Sequence, residues 1–513
     1  MESIDVKELL LAPRLERGRV AELLKPFGFQ DPAGADRNLQ RMAEDLVERR
    51  LLADTLPELL LAVSQSADPD RALNYMERFA AAALNRTRLY SYLKESPQAL
   101  EILAKTLGAS SYMAEILIRD PFHFYWVTDP ATLRYSARGH LIEGEIAQTF
   151  AAFSREPADE ERRWNYLRFL KRRETLRIGV RDLLRLCPVE ETLAGLSLLA
   201  ETLISAAYRM CDDALRAERQ APAGMYTRFC VIGMGKLGGG ELNFSSDVDL
   251  IYVYDEPGED WQPAAEFYRQ LCQRITAALD AFTNQGYVYR VDLRLRPEGE
   301  SGAIATRLDD VDRYYRSRGE NWERLALLKA RPIAGDRSVG RAFLRMTRGF
   351  VYDEEFGGRA REDIRNMKRR IDRELVQQRA DRGANVKLGS GGIREIELIA
   401  QSLQVRHGPA IDGIRQRNTL AALRALEARG LISAKDCQSL VDAYRFLRDL
   451  ENKLQMVDDA QTHALPRAAE EVQTCARRLG YSDQAAESAA SQLLRDFRRH
   501  TNAVNRIFEA ALL

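Results

Sequence analysis

Val231-Ile232-Gly233-Met234-Gly235-Lys236-Leu237-Gly238-Gly239-Gly240-Glu241-Leu242-Asn243-Phe244-Ser245-Ser246-Asp247-Val248-Asp249-Leu250 decides the reading of this chain. An apolar strand runs into a glycine-rich turn. Two aspartates then alternate into a second apolar strand, Leu250-Ile251-Tyr252-Val253-Tyr254. Side chains two apart on a strand share a face, about 6.6 Å apart along it. Asp247 and Asp249 therefore project together, which suits hard divalent cations bridged by phosphate oxygens.

A third carboxylate is expected from a neighbouring strand, where cross-strand side chains stand about 5 Å apart. Tyr287-Val288-Tyr289-Arg290-Val291-Asp292-Leu293-Arg294-Leu295 reads as that strand, and Asp292 is its one acid. A helix near 262–283 separates it from the DxD strand, so the three strands form a small α/β core. Gly233, Gly235, Gly238, Gly239 and Gly240 leave backbone amides bare for phosphate oxygens. Lys236, Ser245 and Ser246 add polar groups beside the acids. Arg290, Arg294 and Arg296 fall at period two with Asp292, either touching substrate or pairing with nearby acids. The expected site is thus Asp247, Asp249 and Asp292 as metal-holding catalytic acids. Gly235, Lys236, Gly238, Gly239, Ser245, Ser246, Arg294 and Arg296 are expected around phosphate. The pattern is not a Walker loop, because G-x-x-x-x-G-K-[ST] is missing. A dinucleotide fold is a poor match, because Asp247 follows the glycines too soon for a ribose-binding acid.

Around this core the pattern is helical. Leu73, Met76, Phe79, Ala80, Ala83 and Leu84 keep helical spacing. Ser96-Pro97 reads as an N-cap with a first-turn proline, followed by Leu100, Leu103 and Leu107. A second helical block covers about 158–218. From about 340 to Leu513 helix returns, with Leu420, Leu423, Leu426 and Leu431, then Leu440, Tyr444, Leu447 and Leu450, at its period. At 513 residues the chain exceeds one ordinary core. The expected division is a helical domain over 1–115, a core with its preceding helices over 116–340, and a second helical domain over 341–513.

Lys plus Arg and Asp plus Glu number 76 each, so no global field favours nucleic acid or anionic lipid. Six scattered cysteines (Cys187, Cys211, Cys230, Cys272, Cys437, Cys475) and five dispersed histidines offer no zinc-ligand spacing. They read as reduced thiols. No apolar run reaches the roughly 20 residues of a membrane span, and no signal-type segment is visible. A cytoplasmic protein without nucleic-acid or membrane partners is expected.

Gly233–Gly239 with Ser245–Leu250 resembles the glutamine synthetase adenylyltransferase / adenylyl-removing family. Further likenesses are Arg290-Val291-Asp292-Leu293-Arg294-Leu295-Arg296-Pro297, Trp322-Glu323-Arg324, Lys329-Ala330-Arg331, and Lys387-Leu388-Gly389-Ser390-Gly391-Gly392-Ile393-Arg394-Glu395-Ile396-Glu397. They cover about 160–465. The resemblance implies an α+β, mostly α fold, in which a DNA polymerase β-like nucleotidyltransferase core with a small mixed sheet is flanked by N- and C-terminal helical domains. It implies two Mg²⁺ ions on the three aspartates. That family carries two homologous halves, one removing AMP from a glutamine synthetase tyrosine by phosphorolysis to ADP, the other attaching AMP from ATP. The signature occurs once here, and Asn243-Phe244-Ser245-Ser246-Asp247 is more similar to the removing half. The implied partners are adenylylated glutamine synthetase, phosphate and ADP or ATP, and the PII signal protein. Adenylyl transfer from ATP is one alternative, and a non-catalytic module binding PII or glutamine is the other. Glu395 and Glu397 lie in the shared motif and either tune approach of the second substrate or pair with Arg394. Lys329 and Arg331 either contact phosphate or are solvated. Gly240 and Glu298 depart from the residue types usual in the family.

Overall fold

The computed structural model describes residues 5–12, 15–134, 139–153, 157–222, 224–256, 262–357 and 385–512, with residues 362, 365, 366 and 369. It is an α+β chain, mostly α, with one small mixed sheet. The strands are β1 (Phe229–Gly233), β2 (Val248–Tyr254), β3 (Val291–Asp292), β4 (Ala305–Arg307) and β5 (Arg331–Gly335). Their order is β3-β2-β1-β5, with β4 also on β2. Pairing is antiparallel within β5-β1-β2 and parallel from β2 to β3 and β4.

Two compact units divide the chain. The first gathers Met1–Ser136, Arg172–Pro188 and Asp449–Asp496; the second gathers Ala137–Lys171, Val189–Arg448 and Phe497–Leu513. In the first, the regular elements among the described residues are all helices. Its helices start where short polar side chains satisfy orphan amides. Asp45 accepts from the amides of Val47 and Glu48, Asp68 from Arg71, and Ser96 from Ala99 with Pro97 in the first turn. The Ser96-Pro97 reading therefore holds. The helix expected to carry Ala83 and Leu84 ends sooner, at Ala82. Ala83 turns extended, and Leu84 is 85 % exposed instead of joining Leu73, Met76 and Phe79 in the core.

In the second unit all five residues of β1 are buried, matching a strand covered on both faces. The amphipathic helix Gln262–Asp280 follows β2 as expected and buries Phe267, Tyr268, Leu271, Ile275 and Leu279. Tyr268 stacks on Phe229 of β1 at 5.5 Å between ring centroids. The long strand expected over 287–295 shrinks to the two residues of β3. Its neighbours turn away because their polar groups bond locally: Val288 and Tyr289 amides both donate to Leu279, and Arg296 donates to Leu293. Leu420, Leu423 and Leu426 are buried in helix Thr419–Ala428, but Leu431 lies beyond a left-handed Gly430. The helix expected through 341–513 includes residues 358–384, most of which lie outside the described residues. No described helix is long and apolar enough to cross a membrane.

Charge is also buried in the first unit. Lys453 is fully buried against Asp182 and, at 3.0 Å, Asp449. Removing one partner of a buried pair strands the others without compensation. Lys453→Met is expected to cost about 3–5 kcal/mol, read as a lower urea midpoint. A shift below about 1 kcal/mol would show that the acids do not depend on the lysine.

Candidate active site

The glycine turn leaves β1 and returns through β2 in a fixed order. Met234 is extended, Gly235 takes φ +51°, a short helix spans Gly235–Gly239, and Gly240 ends it at φ +70°. The Met234 amide donates to the Asp249 carbonyl at 2.9 Å, tying the turn to the acid-bearing strand. Two glycines are required by close approach. A Cβ at Gly235 would stand 2.5 Å from Asp249 Oδ2, and one at Gly238 would stand 2.0 Å from the Lys329 carbonyl oxygen. Gly238 and Gly239 are buried, and Gly239 lies against the Glu241 carboxylate. Their bare backbone thus serves contacts inside the protein as well as any ligand.

Asp249 and Asp292 are brought opposite one another. Parallel pairing of β2 with β3 sets Asp249 opposite Asp292, and Asp247 precedes β2 by one residue. Burial pushes the half-buried Asp249 carboxyl up to about 6. The charges of Asp292 and Asp247 add to that, against Lys387 and Lys236. Asp292 is also desolvated, but bonds from the Arg294 side chain and amide outweigh this and hold it below the usual carboxylate range.

Arginines occupy the outer acids. Arg290 Nε donates to Asp247 at 2.6 Å, and its other nitrogens reach the Tyr287 hydroxyl and the Ser245 carbonyl and hydroxyl. Arg294 forks onto Asp292, with Nη2 2.5 Å from Oδ2. Arg296 instead clamps the carbonyls of Leu293, Gly302 and Glu300. The shared strand face expected for Arg290, Arg294 and Arg296 is therefore not formed, since the strand stops at Asp292. Lys236 donates to Asn243 at 2.6 Å, and the Ser246 hydroxyl accepts from the Asn243 amide.

Beneath the turn lies a buried ionic cluster. Lys329, 6 % exposed, donates to Glu241 at 2.7 Å, Glu397 at 2.8 Å and Thr419 at 3.2 Å. Neither a phosphate contact nor a solvated lysine describes it: its ammonium group is enclosed by protein acids. Burial disfavours the Glu397 carboxylate, but Lys329 and Arg394 reverse that and hold it at about 2. Arg394 stands 3.6 Å from Glu397, so the expected helix pair exists beside the stronger one to Lys329. Glu395 is buried and accepts the Gly391 amide at 3.0 Å. Arg331 donates to the carbonyls of Gly238 and Leu237 and pairs with Glu201, gripping the end of the glycine helix. Arg448 donates to the Glu241 carbonyl and, at 2.7 Å, to Asn243.

Sequence reasoning missed Glu241, Arg448 and the nearness of Lys387 to Asp249. The signal for Lys387 was its place at the head of the Lys387–Glu397 motif. Glu241 and Arg448 carried none, because their partners are distant in sequence.

The donor set of three carboxylates suits a hard divalent cation, and the unrelieved crowding at Asp249 is what such a charge would offset. Among the described residues no three His, Cys, Asp or Glu side chains stand as a ready cage. Asp247 and Asp292 are turned to Arg290 and Arg294 instead. The residue chemistry fits; the side-chain arrangement is that of an arginine-paired state.

Residues 100–346 match the sequence profile of the glutamate-ammonia ligase adenylyltransferase family, and residues 365–512 that of the GlnD PII-uridylyltransferase family. Curated relatives share the name bifunctional glutamine synthetase adenylyltransferase/adenylyl-removing enzyme. One from Xanthomonas campestris pv. campestris (strain B100) is 42 % identical over 394 residues, 75 % of this chain and 40 % of the relative. One from Thioalkalivibrio sulfidiphilus is 39 % identical over 417 residues, 80 % of this chain and 42 % of the relative. One from Pseudomonas aeruginosa is 37 % identical over 402 residues, 76 % and 40 %. The matched part of the chain spans about two fifths of the length of these relatives.

The crowding at Asp249 has a measurable sign. Its folded-state pKa is about 6 against 3.8 for an ordinary aspartate, so the ionised form weakens folding above about pH 6. That penalty fades as pH falls toward 4. In chelator at pH 8, Asp249→Asn is expected to be more stable than the parent by about 1–2 kcal/mol, with the gap closing toward pH 4. A variant less stable at pH 8, or a gap independent of pH, would contradict the crowding.

Proposed function

We propose, on the premise that residues 100–346 belong to the glutamate-ammonia ligase adenylyltransferase family, that this chain removes AMP from a glutamine synthetase tyrosine by phosphorolysis at Asp247, Asp249 and Asp292. The observation that carries the proposal is the parallel register of Asp249 with Asp292 beside the bare turn at Gly235. Phosphate forms a new P–O bond to the AMP phosphorus, the bond to the tyrosyl oxygen breaks, and ADP and the free phenol result. No protein nucleophile is needed.

Asp247, Asp249 and Asp292 would hold two Mg²⁺ ions, which when bound neutralise phosphate charge and stabilise the leaving oxygen. The chain's own residues prepare that centre. Crowding keeps the site poised to accept positive charge. Arg294 holds the Asp292 carboxylate ionised, and Arg290 pairs with Asp247. Lys329 and Arg331 fix the glycine turn from beneath, so its amides keep one geometry. Preorganised groups of this kind need no reorganisation as charge develops on phosphate.

The removing direction is supported by the Asn243–Asp247 motif. The printed names of the relatives carry both activities, so adenylyl transfer from ATP is the second reading. Control by a PII protein belongs to the proposal through the match over residues 365–512. A cytoplasmic setting belongs to it through the six scattered cysteines, which carry no CxxC or metal-ligand spacing.

The test is to incubate the chain with adenylylated glutamine synthetase, Mg²⁺ and phosphate, and to measure ADP. Phosphate-dependent ADP is expected, lowered about a hundredfold or more in Asp249→Asn. Folded protein that makes no ADP, or a fully active Asp249→Asn, would remove the reading. Label passing from ATP onto the synthetase, without ADP formation from phosphate, would select the transfer direction.

A further inference from the structure

Behind the glycine turn, on the far side of Ala330, the second unit contains a cavity of about 430 Å³. Its chemistry is unlike the rest of this electrically balanced chain. Arg341, Arg345 and Arg348 project into it from helix Arg337–Val351, and Arg415 and Arg417 from the facing segment. Asp412 is the single acid on the lining. It is already engaged, 2.8 Å from Arg348 and paired with Arg415. Among the described residues no carboxylate pairs with Arg341, Arg345 or Arg417.

Arg415 and Arg417 are held by main-chain carbonyls, while Arg341, Arg345 and Arg348 are exposed. Arg415 donates to the Gly408 carbonyl at 2.9 Å and lies over the Tyr352 ring at 4.6 Å. Arg417 donates to the Ala330 carbonyl at 2.7 Å. Burial and the positive charge of Arg331 together push the Arg417 guanidinium below its usual range. Guanidinium forks recognise carboxylate and phosphate in two-toothed fashion, and the volume is that of a metabolite pocket.

We propose that this cavity is a binding site for a small metabolite bearing two anionic groups, carboxylate or phosphate. One group would be held by the arginines of helix Arg337–Val351, the other by those of the facing segment. A volume of about 430 Å³ with guanidinium groups on two sides favours a small molecule over an acidic protein surface. The site backs directly onto the catalytic turn. Ala330, gripped by Arg417, lies between Lys329 and Arg331, which hold Gly238 and Glu241. The Arg417 carbonyl oxygen stands 3.3 Å from where a Gly239 Cβ would be. An occupied cavity therefore lies against Ala330, whose chain neighbours Lys329 and Arg331 fix the active-site turn.

The test is calorimetric titration of the full chain, in chelator and at matched ionic strength, with citrate in one arm and pyrophosphate in the other. Saturable one-site binding of at least one probe is expected, with Kd below about a millimolar. It should weaken about tenfold or more in Arg341→Gln/Arg345→Gln and be unchanged in Asp249→Asn, which separates it from the catalytic acids. Thermal melting of the double variant checks its fold. Hydrogen exchange with bound probe should show protection centred on 327–352 and 408–418. No saturable heat above a chloride control overturns the proposal. So does equal affinity in the folded double variant, or protection confined to other segments. None of these results bears on adenylyl removal, which the ADP assay reads separately.

Discussion

The constraint on which the site depends is the two-residue parallel pairing of β2 with β3. It sets Asp249 directly opposite Asp292. Two carboxylates at adjacent register positions repel, and burial of Asp249 strengthens that repulsion by lowering the local dielectric. The chain tolerates the arrangement because Arg290, Arg294 and Lys387 are set around it. It does not neutralise it: Asp249 still keeps a carboxyl at about 6. Such crowding is the electrostatic pattern on which the proposed role of these acids rests.

The Lys329 cluster explains why that geometry can be held. Glu241 follows the glycine turn, Lys329 precedes β5, Glu397 lies on helix Ile393–His407, and Thr419 opens another helix. One ammonium group joins all four segments. Buried ion clusters are weak sources of net stability, since desolvation offsets their attraction. Their directional bonds do specify an arrangement that apolar packing would leave freer. Here the specified object is the turn that carries Gly235 and Gly238, where an added methyl group would collide with Asp249 or Lys329. The cationic cavity lies behind the same element, so the turn is bordered by acids on one side and arginines on the other.

Much of the core was legible from local pattern. The DxD spacing, the glycine turn, the helix after β2 and the Ser96-Pro97 cap all rest on neighbours in sequence, and all are present. Pattern failed where a distant partner decided the outcome. Arg290, Arg294 and Arg296 keep period two, yet only Asp292 and Val291 find a neighbouring strand, so the periodicity produces no extended face. Lys329 and Arg331 are alike by type and nearly adjacent. One is enclosed among Glu241, Glu397 and Thr419, and the other grips main-chain carbonyls. Leu84 and Leu431 fit helical spacing but fall just beyond helix ends, where spacing says nothing.

The order of residues alone determined the bend, the alternating acids that lead into β2 and the presence of a third acid after an intervening helix. Those are consequences of backbone period and glycine freedom, which act over a few residues. Tertiary structure decided that Asp249 and Asp292 meet, that arginines hold the outer acids, and that Lys329 is enclosed. It also decided that five guanidinium groups share one cavity. Electrostatic energy depends on distance and burial, and only the folded chain sets either for residues tens or hundreds of positions apart.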